Sequence, residues 1–474
     1  MQFANAINNQ KTRTTNGMKA RVSSANACVD LFYNVGASRG KNIIPAFTAA
    51  YVENSDLALR IMAWARDVRG GSGERQLFRD VMAHLENTNP ADAARLMAVV
   101  PELGRWDDLL VFKTEALKHK AYTMLGDALR ANNGLAAKWT PRKGEVAREI
   151  REFFGMTPKQ YRKSLVALTT VVETQMCARD WDNINYNHVP SLAHARYKKA
   201  FGRHGTTYAE YVAKLAKGEA GVKINAGAVY PYDVLKGALS AYGMKTLSKT
   251  EQDAMQAQWD ALPNYVGDAD VLPMVDSSGS MTCAAGGYSS KSGLSCLDVA
   301  LSLGLYFADK NRGKFADCFL TFSNRPKLVN LKGNIIQKMT QMNTGEVANT
   351  NLNAAFDLIL KTAVDNRVPQ SEMPGTLLIL SDMQFDGAVD GRDESALNMI
   401  RRKYQDAGYE VPRVVFWNLN AAYSNTPVKY DRSGTALVSG FAPALAQSIM
   451  ANDLDDFTPE AVMLKTVMQA RYTV

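Results

Sequence analysis

The spacing of hydrophobic and polar positions changes once along the chain, near residues 262–270. Before that point apolar residues recur at helical intervals, as at Leu57, Ile61 and Ala65. Glycines and prolines, such as Pro90 and the glycines of the turn 70–73, divide this pattern into short amphipathic segments. The pattern predicts short helices joined by tight turns, stacked as a helical-repeat array without a fixed sequence period.

After the segment LPNYVGDAD (262–270), short apolar runs alternate with amphipathic ones. The predicted strands cover 271–275, 318–322, 327–331, 376–380, 413–417 and 436–439, and the predicted helices cover 297–308, 352–360, 396–407, 443–451 and 459–472. Such alternation is typical of a mostly parallel, doubly wound sheet with helices on both faces. The chain is therefore divided into a polar N-terminal segment (1–20), a helical module (21–265) and an α/β domain (266–474).

The composition is that of a globular protein without a membrane span. Of the 474 residues, 46% are hydrophobic and 22% charged, and no apolar run is long enough to cross a bilayer. The first residues lack the apolar centre of a signal peptide, so a cytoplasmic protein is expected. The five cysteines are scattered and form no CxxC pair, which favours free thiols over a disulfide framework or a zinc site.

Charge is spread unevenly between the two parts. Residues 1–265 carry 36 Lys and Arg against 25 Asp and Glu, whereas the remaining residues carry 19 against 22. A basic half joined to a slightly acidic one is compatible with binding of a polyanion such as RNA, although ordinary solvated lysines would give the same excess.

Hydroxyl and carboxyl side chains follow the predicted strands at one edge of the sheet. Asp276, Ser278 and Ser280 form a DxSxS pattern after the first strand, Asp382 follows the strand TLLIL, and Thr350 precedes a helix. Oxygen ligands of this kind suit Mg²⁺, with Mn²⁺ as the alternative. The sequence therefore predicts a five-residue divalent metal site at the carboxyl ends of the strands.

The serines allow two other interpretations. A serine-rich turn with a helix cap needs no metal, but it would not explain Thr350 and Asp382 in matching positions. A serine nucleophile would be expected in a GxSxG elbow, which surrounds neither Ser278 nor Ser280. Because the set offers no His or Lys as a general base, the site is predicted to bind rather than to catalyse.

This set resembles the metal-ion-dependent adhesion site of von Willebrand factor A domains, and the resemblance covers about residues 268–474. That family often has Gly two residues before the threonine ligand, where this chain has Ala348, so Thr344 competes with Thr350 for the role. The resemblance implies a Rossmann-like fold whose metal takes a carboxylate from a protein partner.

Motifs in the first half resemble the Ro ribonucleoprotein autoantigen family. They are RDVRGGSGERQLFR (66–79) and GRWDDLL (104–110), while AAKWTPR (136–142), WDNINYNHVPS (181–191), VFWNLN (415–420) and LVSGF (437–441) are closer to a poorly characterised Ro-like branch. The Ro family joins a ring of HEAT-like repeats, the TROVE module, to an A-type domain. The resemblance implies binding of small structured RNAs on the ring and of RNA ends in its cavity.

Basic residues concentrate within 136–223, where lysine and arginine could pair with phosphates. The candidate RNA contacts are Lys138, Arg142, Lys143, Arg162, Lys163, Arg196, Lys198, Lys199, Arg203 and His204. Tyr197 and Phe201 lie among them and could stack on bases, but their spacing of four residues equally suits a buried helical face.

The sequence is thus compatible with three functions, which we rank by how well the residues support them. The first is a Ro-like RNA-binding scaffold with a metal-dependent docking domain, and the second is a metal-dependent protein-interaction module that binds no RNA. A metal-dependent nuclease ranks last, because a two-metal nuclease needs a cluster rich in carboxylates and this site has two.

Overall fold

The computed structural model describes residues 11–204, 206–236, 238–240, 243–285, 294–322, 325–342, 350–386, 396–421, 425–450 and 456–474. Within these ranges a helical part is followed by an α/β part, which confirms the predicted order of the two folds. No helix in the same ranges has the length and apolar character needed to cross a membrane.

The helical part consists of short helices whose sequence neighbours pack against each other. Their bounds are Ala27–Val35, Ile44–Glu53, Ser55–Arg66, Arg75–Thr88, Pro90–Ala98, Val100–Leu103, Glu115–Arg130, Gly134–Trp139, Glu145–Phe153, Pro158–Leu168, Val172–Cys177, Ser191–His204, Thr206–Ala216, Pro231–Leu235 and Lys249–Asp260, with 3₁₀ turns at Trp106–Val111 and Tyr186–His188.

Asn54 interrupts the apolar pattern that precedes the 70–73 turn. Its backbone is extended, and its side-chain oxygen accepts a hydrogen bond from the Leu57 amide at 3.0 Å. The residue thereby ends the helix Ile44–Glu53 and caps Ser55–Arg66. The apolar period continues across this break because both helices bury one face in the same core.

Among the residues that the structure describes, ten strands form one large sheet and two small ladders. They are β1 Lys11–Arg13, β2 Lys19–Arg21, β3 Leu239–Ser240, β4 Gly243–Met244, β5 Val271–Asp276, β6 Cys318–Phe322, β7 Leu328–Asn330, β8 Thr376–Ser381, β9 Arg413–Asn418 and β10 Thr435–Ser439. The large sheet has the order β10-β9-β8-β5-β6-β7, and only β7 is antiparallel to its neighbour. All six strands predicted after residue 270 are present.

The helices of the α/β part are Cys296–Lys310, Ile335–Met342, Leu352–Asn366, Ala396–Asp406, Ala446–Met450 and Pro459–Val467, with 3₁₀ turns at Gly279–Thr282, Gln370–Glu372, Pro443–Leu445 and Ala470–Tyr472. The central strands β5 and β8 are almost wholly buried, in keeping with their apolar sequences. The two small ladders, β1–β2 and β3–β4, were not predicted, because strands of two or three residues carry no measurable alternation.

The two parts share one continuous hydrophobic core. Arg471, near the C-terminus, donates to both carboxylate oxygens of Asp67 in the helical part, at 2.6 and 3.1 Å. The Tyr472 hydroxyl donates to the same carboxylate at 3.2 Å, and Asp67 is fully buried. A second close approach joins the Gly36 amide to the Ser439 hydroxyl at the end of β10, at 3.1 Å.

Candidate metal centre and basic cavity

The predicted metal residues lie where the order of strands in the sheet reverses. From β5 the chain runs to β6 on one side and later to β8 on the other. Asp276 is the last residue of β5, and Asp382 directly follows β8, which is paired with β5 in parallel. In open α/β sheets such a switch point is where ligands bind.

Both carboxylates are buried and face each other's charge. Asp276 is fully buried, and burial together with the charge of Asp382 raises its pKa from 3.8 to about 6. Burial likewise raises the pKa of Asp382, against a hydrogen bond from Ser280 that lowers it. Asp276 also accepts hydrogen bonds from the Ser278 amide at 2.8 Å and from the Ser381 hydroxyl at 2.5 Å. These bonds hold the carboxylate in place.

The two serines reach the carboxylates from the 3₁₀ turn Gly279–Thr282 and the residue before it. The Ser278 and Ser280 hydroxyl oxygens are 3.0 Å apart, and Ser280 also contacts Asp382. Ser278 is buried, whereas Ser280 is exposed. The structure therefore brings Asp276, Ser278, Ser280 and Asp382 together, with the Ser280 side open to solvent.

Thr350 lies beside this group and is fully buried. Its hydroxyl donates to the Gln384 carbonyl at 2.8 Å, and the Gln384 amide in turn bonds Asp382 at 3.2 Å. Thr350 is thus linked to the Asp382 carboxylate through hydrogen bonds to Gln384. The competing Thr344 lies outside the described residues.

Asp386 is an acidic neighbour that the motif did not single out. Its carboxylate is 3.5 Å from the Thr350 hydroxyl, its amide bonds the Thr350 carbonyl at 3.0 Å, and burial raises its pKa. Its position four residues after Asp382 was the only sequence signal available.

The turn after Asp382 contains a strained residue. Met383 is buried with φ of 66°, in the left-handed region that side chains other than glycine rarely adopt. Its amide is held at 3.0 Å by the Ser381 hydroxyl, which also binds Asp276. Strain of this kind costs about 1 kcal/mol or more and tends to persist at functional sites.

The donor set fits a hard divalent cation. Two buried carboxylates repel each other, and two hydroxyls lie within hydrogen-bonding distance of one another, so a Mg²⁺ ion would neutralise the charge and use the oxygens as ligands. Within the described ranges no group of three or more His, Cys, Asp or Glu forms a metal cluster.

The polar N-terminal segment contacts the same edge of the sheet. Residues 14–17, which connect β1 to β2, lie along Gln384–Asp386. Asn16 donates to the Gln384 carbonyl at 2.7 Å and lies 3.5 Å from the Thr350 oxygen. Asn16 therefore lies beside the oxygen that Thr350 would offer to a metal.

A second candidate site is a cavity of about 810 Å³ in the helical part. Six cationic side chains line it against three acidic ones. They are Arg39, Arg66, Arg75, Arg105, Lys138 and Arg196, with Glu74, Glu173 and Asp233. The cavity therefore carries a positive excess, as an anion-binding site requires.

Several of these cations have acidic partners. Arg39 pairs with Glu74 at 2.7 Å, Arg66 with Asp108 at 2.7 Å, and Lys138 with Glu173 at 3.4 Å. Arg105 pairs with Asp107 and lies 3.6 Å above the ring of Trp139. These contacts hold the walls of the cavity in place.

Arg75 and Arg196 differ from the other cations of the cavity. Both side chains are exposed, and among the described residues neither forms an ion pair. Desolvation, with the positive charges of Arg105 and Arg79, lowers the pKa of Arg75 against the opposing charges of Asp107 and Asp108. Burial raises the pKa of Asp233, and Arg196 lies close enough for its charge to oppose this rise. Positive charges that repel each other in a concave surface favour a bound anion.

The predicted RNA residues are spread over several environments. Lys138 and Arg196 line the cavity, whereas Arg142, Lys143, Arg162, Lys163, Lys199, Arg203 and His204 are exposed outside it. His204 stacks on Trp181, and Arg142 donates to Thr169. Lys198 differs, because it is buried with its ammonium 3.0 Å from the Val234 carbonyl, and burial lowers its pKa to about 8. Its interior position removes Lys198 from the exposed RNA candidates.

The aromatic residues near these cations belong mainly to a small core. Phe201 and Tyr186 are buried in it, and Tyr197 packs against it. His194 is also buried, which lowers its pKa to about 3, so it is neutral at physiological pH. Trp139, half-buried beneath Arg105, lines the cavity together with Tyr197, Tyr230 and Tyr232.

The glycine-rich turn next to Arg75 uses its amides internally. The Gly71 and Gly73 amides bond the Asp67 carbonyl, and the Glu74 amide bonds the Ala65 carbonyl. A Cβ atom at Gly71 would lie 1.8 Å from the Trp64 carbonyl oxygen. The turn therefore serves the close approach of two helices, and these amides are not available to a phosphate.

Comparison with known proteins finds matches to separate stretches of the chain. Two protein-family models match, each over somewhat less than half of the chain. Both are domains of unknown function: DUF2828 matches residues 14–103 and 133–270, and DUF7788 matches residues 270–471.

Two particular proteins resemble the whole chain. An uncharacterized protein of Acanthamoeba polyphaga mimivirus is 28% identical, over 95% of this chain and 86% of its own length. The crystal structure of the Deinococcus radiodurans Ro (RSR) protein covers 93% of both chains at 13% identity, with a TM-score of 0.38.

Proposed function

We propose that the chain is a Ro-like RNA-binding scaffold. Its helical part, a HEAT-like array, binds structured or single-stranded RNA. Its α/β part, a von Willebrand factor A-type domain, binds a divalent metal for docking to a partner. The observation that carries the RNA proposal is the cavity, in which Arg75 and Arg196 are exposed and form no ion pair within 4 Å among the described residues.

The chemistry of the cavity favours a nucleic-acid strand over a small anion. At about 810 Å³ it exceeds the volume of a single phosphate many times over. Its exposed guanidinium groups suit phosphate oxygens, and Trp139 with Arg105 offers a stacked surface beside them. A chain end with two or more phosphates would pair with both exposed arginines.

We predict that Arg75→Ala/Arg196→Ala weakens RNA binding at least about tenfold at physiological salt, because each lost phosphate contact removes about 1 kcal/mol or more. Filter binding of a structured RNA with a single-stranded end, at several salt concentrations, measures this. The slope of log affinity against log salt should fall by about one per contact.

The matched control is Lys332→Ala/Lys361→Ala, which removes the same charge from two exposed residues of the α/β part. It should leave RNA affinity within about twofold of the unmodified chain. Equal losses in both double variants would mean that net charge, and not the cavity, determines binding. Absence of salt-sensitive binding in the unmodified chain would refute the RNA proposal.

The metal proposal concerns binding and not catalysis. Asp276, Ser278, Ser280 and Asp382 would hold Mg²⁺ or Mn²⁺, and Thr350 would join through Gln384 or after Asn16 withdraws. A hydroxyl-rich set with two acids leaves the metal electrophilic, so that it would accept a carboxylate from a protein partner on the open Ser280 side. Metal-dependent RNA cleavage lost in Asp276→Ala would support a nuclease instead.

A second candidate function is metal-dependent protein interaction without RNA, and the buried pair Asp276 and Asp382 favours it. Affinity capture from the native host, with and without nuclease, separates the two. Partners that survive nuclease but disappear with EDTA or with Asp276→Ala favour this second function. Partners that disappear with nuclease favour the RNA scaffold.

A further inference from the structure

Two cysteines that are thirteen residues apart in sequence meet in the folded chain. Cys283 follows the 3₁₀ turn Gly279–Thr282, and Cys296 begins the helix Cys296–Lys310. Their sulfur atoms are 3.5 Å apart. The remaining cysteines, Cys28, Cys177 and Cys318, are free thiols elsewhere in the fold.

The backbone holds the pair in register. Ala284 and Ser295 form an antiparallel bridge, so Cys283 lies directly opposite Cys296. The Cys296 amide donates to the Cys283 carbonyl at 2.9 Å, and the Ala285 amide donates to the Leu294 carbonyl at 2.8 Å. Opposed residues of an antiparallel pair have Cα atoms about 4.5–5.5 Å apart, which is within the range of disulfides. The two sulfurs can therefore bond without a large movement of either segment.

The surroundings give the two thiols different access. Cys283 is half-exposed, whereas Cys296 is 1% exposed and lies against the Leu419 carbonyl. The Asn420 side-chain amide is 3.1 Å from the Cys283 sulfur, and the same side chain accepts from the Lys41 ammonium at 3.1 Å. An oxidant can reach the Cys283 sulfur from solvent, whereas the buried Cys296 sulfur is shielded from it.

We propose that Cys283 and Cys296 form a modification site that a hydroperoxide converts reversibly into a disulfide. The Cys283 sulfur attacks the hydroperoxide, so that an S–O bond forms, the O–O bond breaks, and water or an alcohol leaves. Sulfur is oxidised by two electrons and the peroxide is reduced. The Cys296 sulfur then attacks Cys283, the S–O bond breaks, and hydroxide leaves as water with the thiol proton. A thiol reductant restores both groups.

The disulfide would change two contacts around it. The Cys283 amide bonds the Ser280 carbonyl at 3.3 Å, so a shift of Cys283 moves the turn that carries Ser280. Cys283 also accepts the Asn420 contact that leads to Lys41 of the helical part. Any effect on metal affinity rests on the proposed metal site, whereas disulfide formation does not.

The test treats the reduced full-length chain with equimolar hydrogen peroxide, blocks the remaining thiols with a maleimide, and maps peptides by mass spectrometry. One species joining the Cys283 and Cys296 peptides, with the mass of two hydrogen atoms lost and reversed by dithiothreitol, is the expected product. Reaction of the exposed Cys177 while Cys283 stays fully available to maleimide would overturn the proposal. This comparison needs no variant.

Variants identify the order of the steps. Cys296→Ser should stop at a Cys283 sulfenic acid that dimedone captures, whereas Cys177→Ser should form the disulfide as the unmodified chain does. A Cys283 sulfenic acid that persists in the unmodified chain would contradict the role of Cys296.

In a separate measurement, Mn²⁺ affinity should differ about tenfold between reduced and oxidised chains. No Mn²⁺ binding in either state would refute the metal proposal and leave the disulfide result standing.

Discussion

Asp276→Asn is expected to abolish Mg²⁺ binding and at the same time to stabilise the metal-free chain. Asp276 is fully buried, and burial with the charge of Asp382 raises its pKa to about 6. An upward shift of this size corresponds to about 3 kcal/mol of unfavourable free energy for the ionised form at neutral pH. Asparagine has nearly the same shape and removes that charge, but it also removes half of the anionic charge that a metal requires.

The pH dependence of stability shows in which direction the stabilising effect of Asp276→Asn should change. Because the pKa of Asp276 is raised in the folded state, folding takes up a proton between the ordinary carboxyl pKa of 3.8 and about 6. The contribution of Asp276 to stability is therefore complete below 3.8 and is lost as pH rises through 6. The advantage of Asp276→Asn in EDTA should grow over this interval and level off above it.

Thermal melting in EDTA and in millimolar MgCl₂ measures both effects. The unmodified chain should gain several degrees from MgCl₂ at pH 7.5, and Asp276→Asn should gain none. The matched control is Asp270→Asn, a half-exposed carboxylate at the other end of β5 that pairs with Lys314. It should keep the full response to Mg²⁺. An Asp276→Asn chain that melts lower in EDTA and still responds to Mg²⁺ would contradict the proposed site.

Asp67→Ala is expected to destabilise the whole chain by about 3 kcal/mol. Its carboxylate is fully buried between the two parts and accepts bonds from Arg471, Tyr472 and the Arg69 amide. Removing one partner of a buried ion pair leaves the other charge without compensation. The expected loss is at the low end of the usual range, since the Arg471 side chain is 31% exposed and can regain some water.

Glu102→Ala is the matched control, because Glu102 pairs with the same Arg471 from an exposed position. An exposed ion pair of this kind contributes less than about 1 kcal/mol, so the melting curve should hardly move. Chemical unfolding followed by tryptophan fluorescence and by circular dichroism measures both variants. We expect a single transition for the unmodified chain because its two parts share one core. Two separated transitions would mean that Asp67 does not couple the parts.

Much of the α/β part could be predicted because its signals are local. Strands such as β5 and β8 are continuous apolar runs that end at acidic residues, and these runs survive in the fold with shifts of one residue. The DxSxS pattern placed Asp276, Ser278 and Ser280 together, since they are neighbours in sequence. Asp382 could be added because parallel strands end at the same edge of a sheet.

The cavity of the helical part was largely hidden from such reasoning. The charge excess indicated a basic half, but it did not separate Arg75 and Arg196, for which the described residues form no ion pair within 4 Å, from Arg66 and Lys138, which are paired. For Lys198 the count of charges was misleading, because this lysine of a basic stretch is buried and its ammonium donates to a backbone carbonyl. Ion pairing and burial depend on contacts between distant segments, and a count of charges contains no such information.

The sequence by itself determined the two fold types, the strands of the sheet and four residues of the proposed metal site, because helical and strand periods and strand-end motifs are properties of neighbouring residues. Only the tertiary structure decided which cations form no ion pair, that the segment 14–17 contacts Thr350, and that the sulfurs of Cys283 and Cys296 lie close together. Each of these facts depends on contacts between segments that are distant in the sequence and meet only when the hydrophobic core is buried, and the spacing of residues along the chain does not show which segments meet.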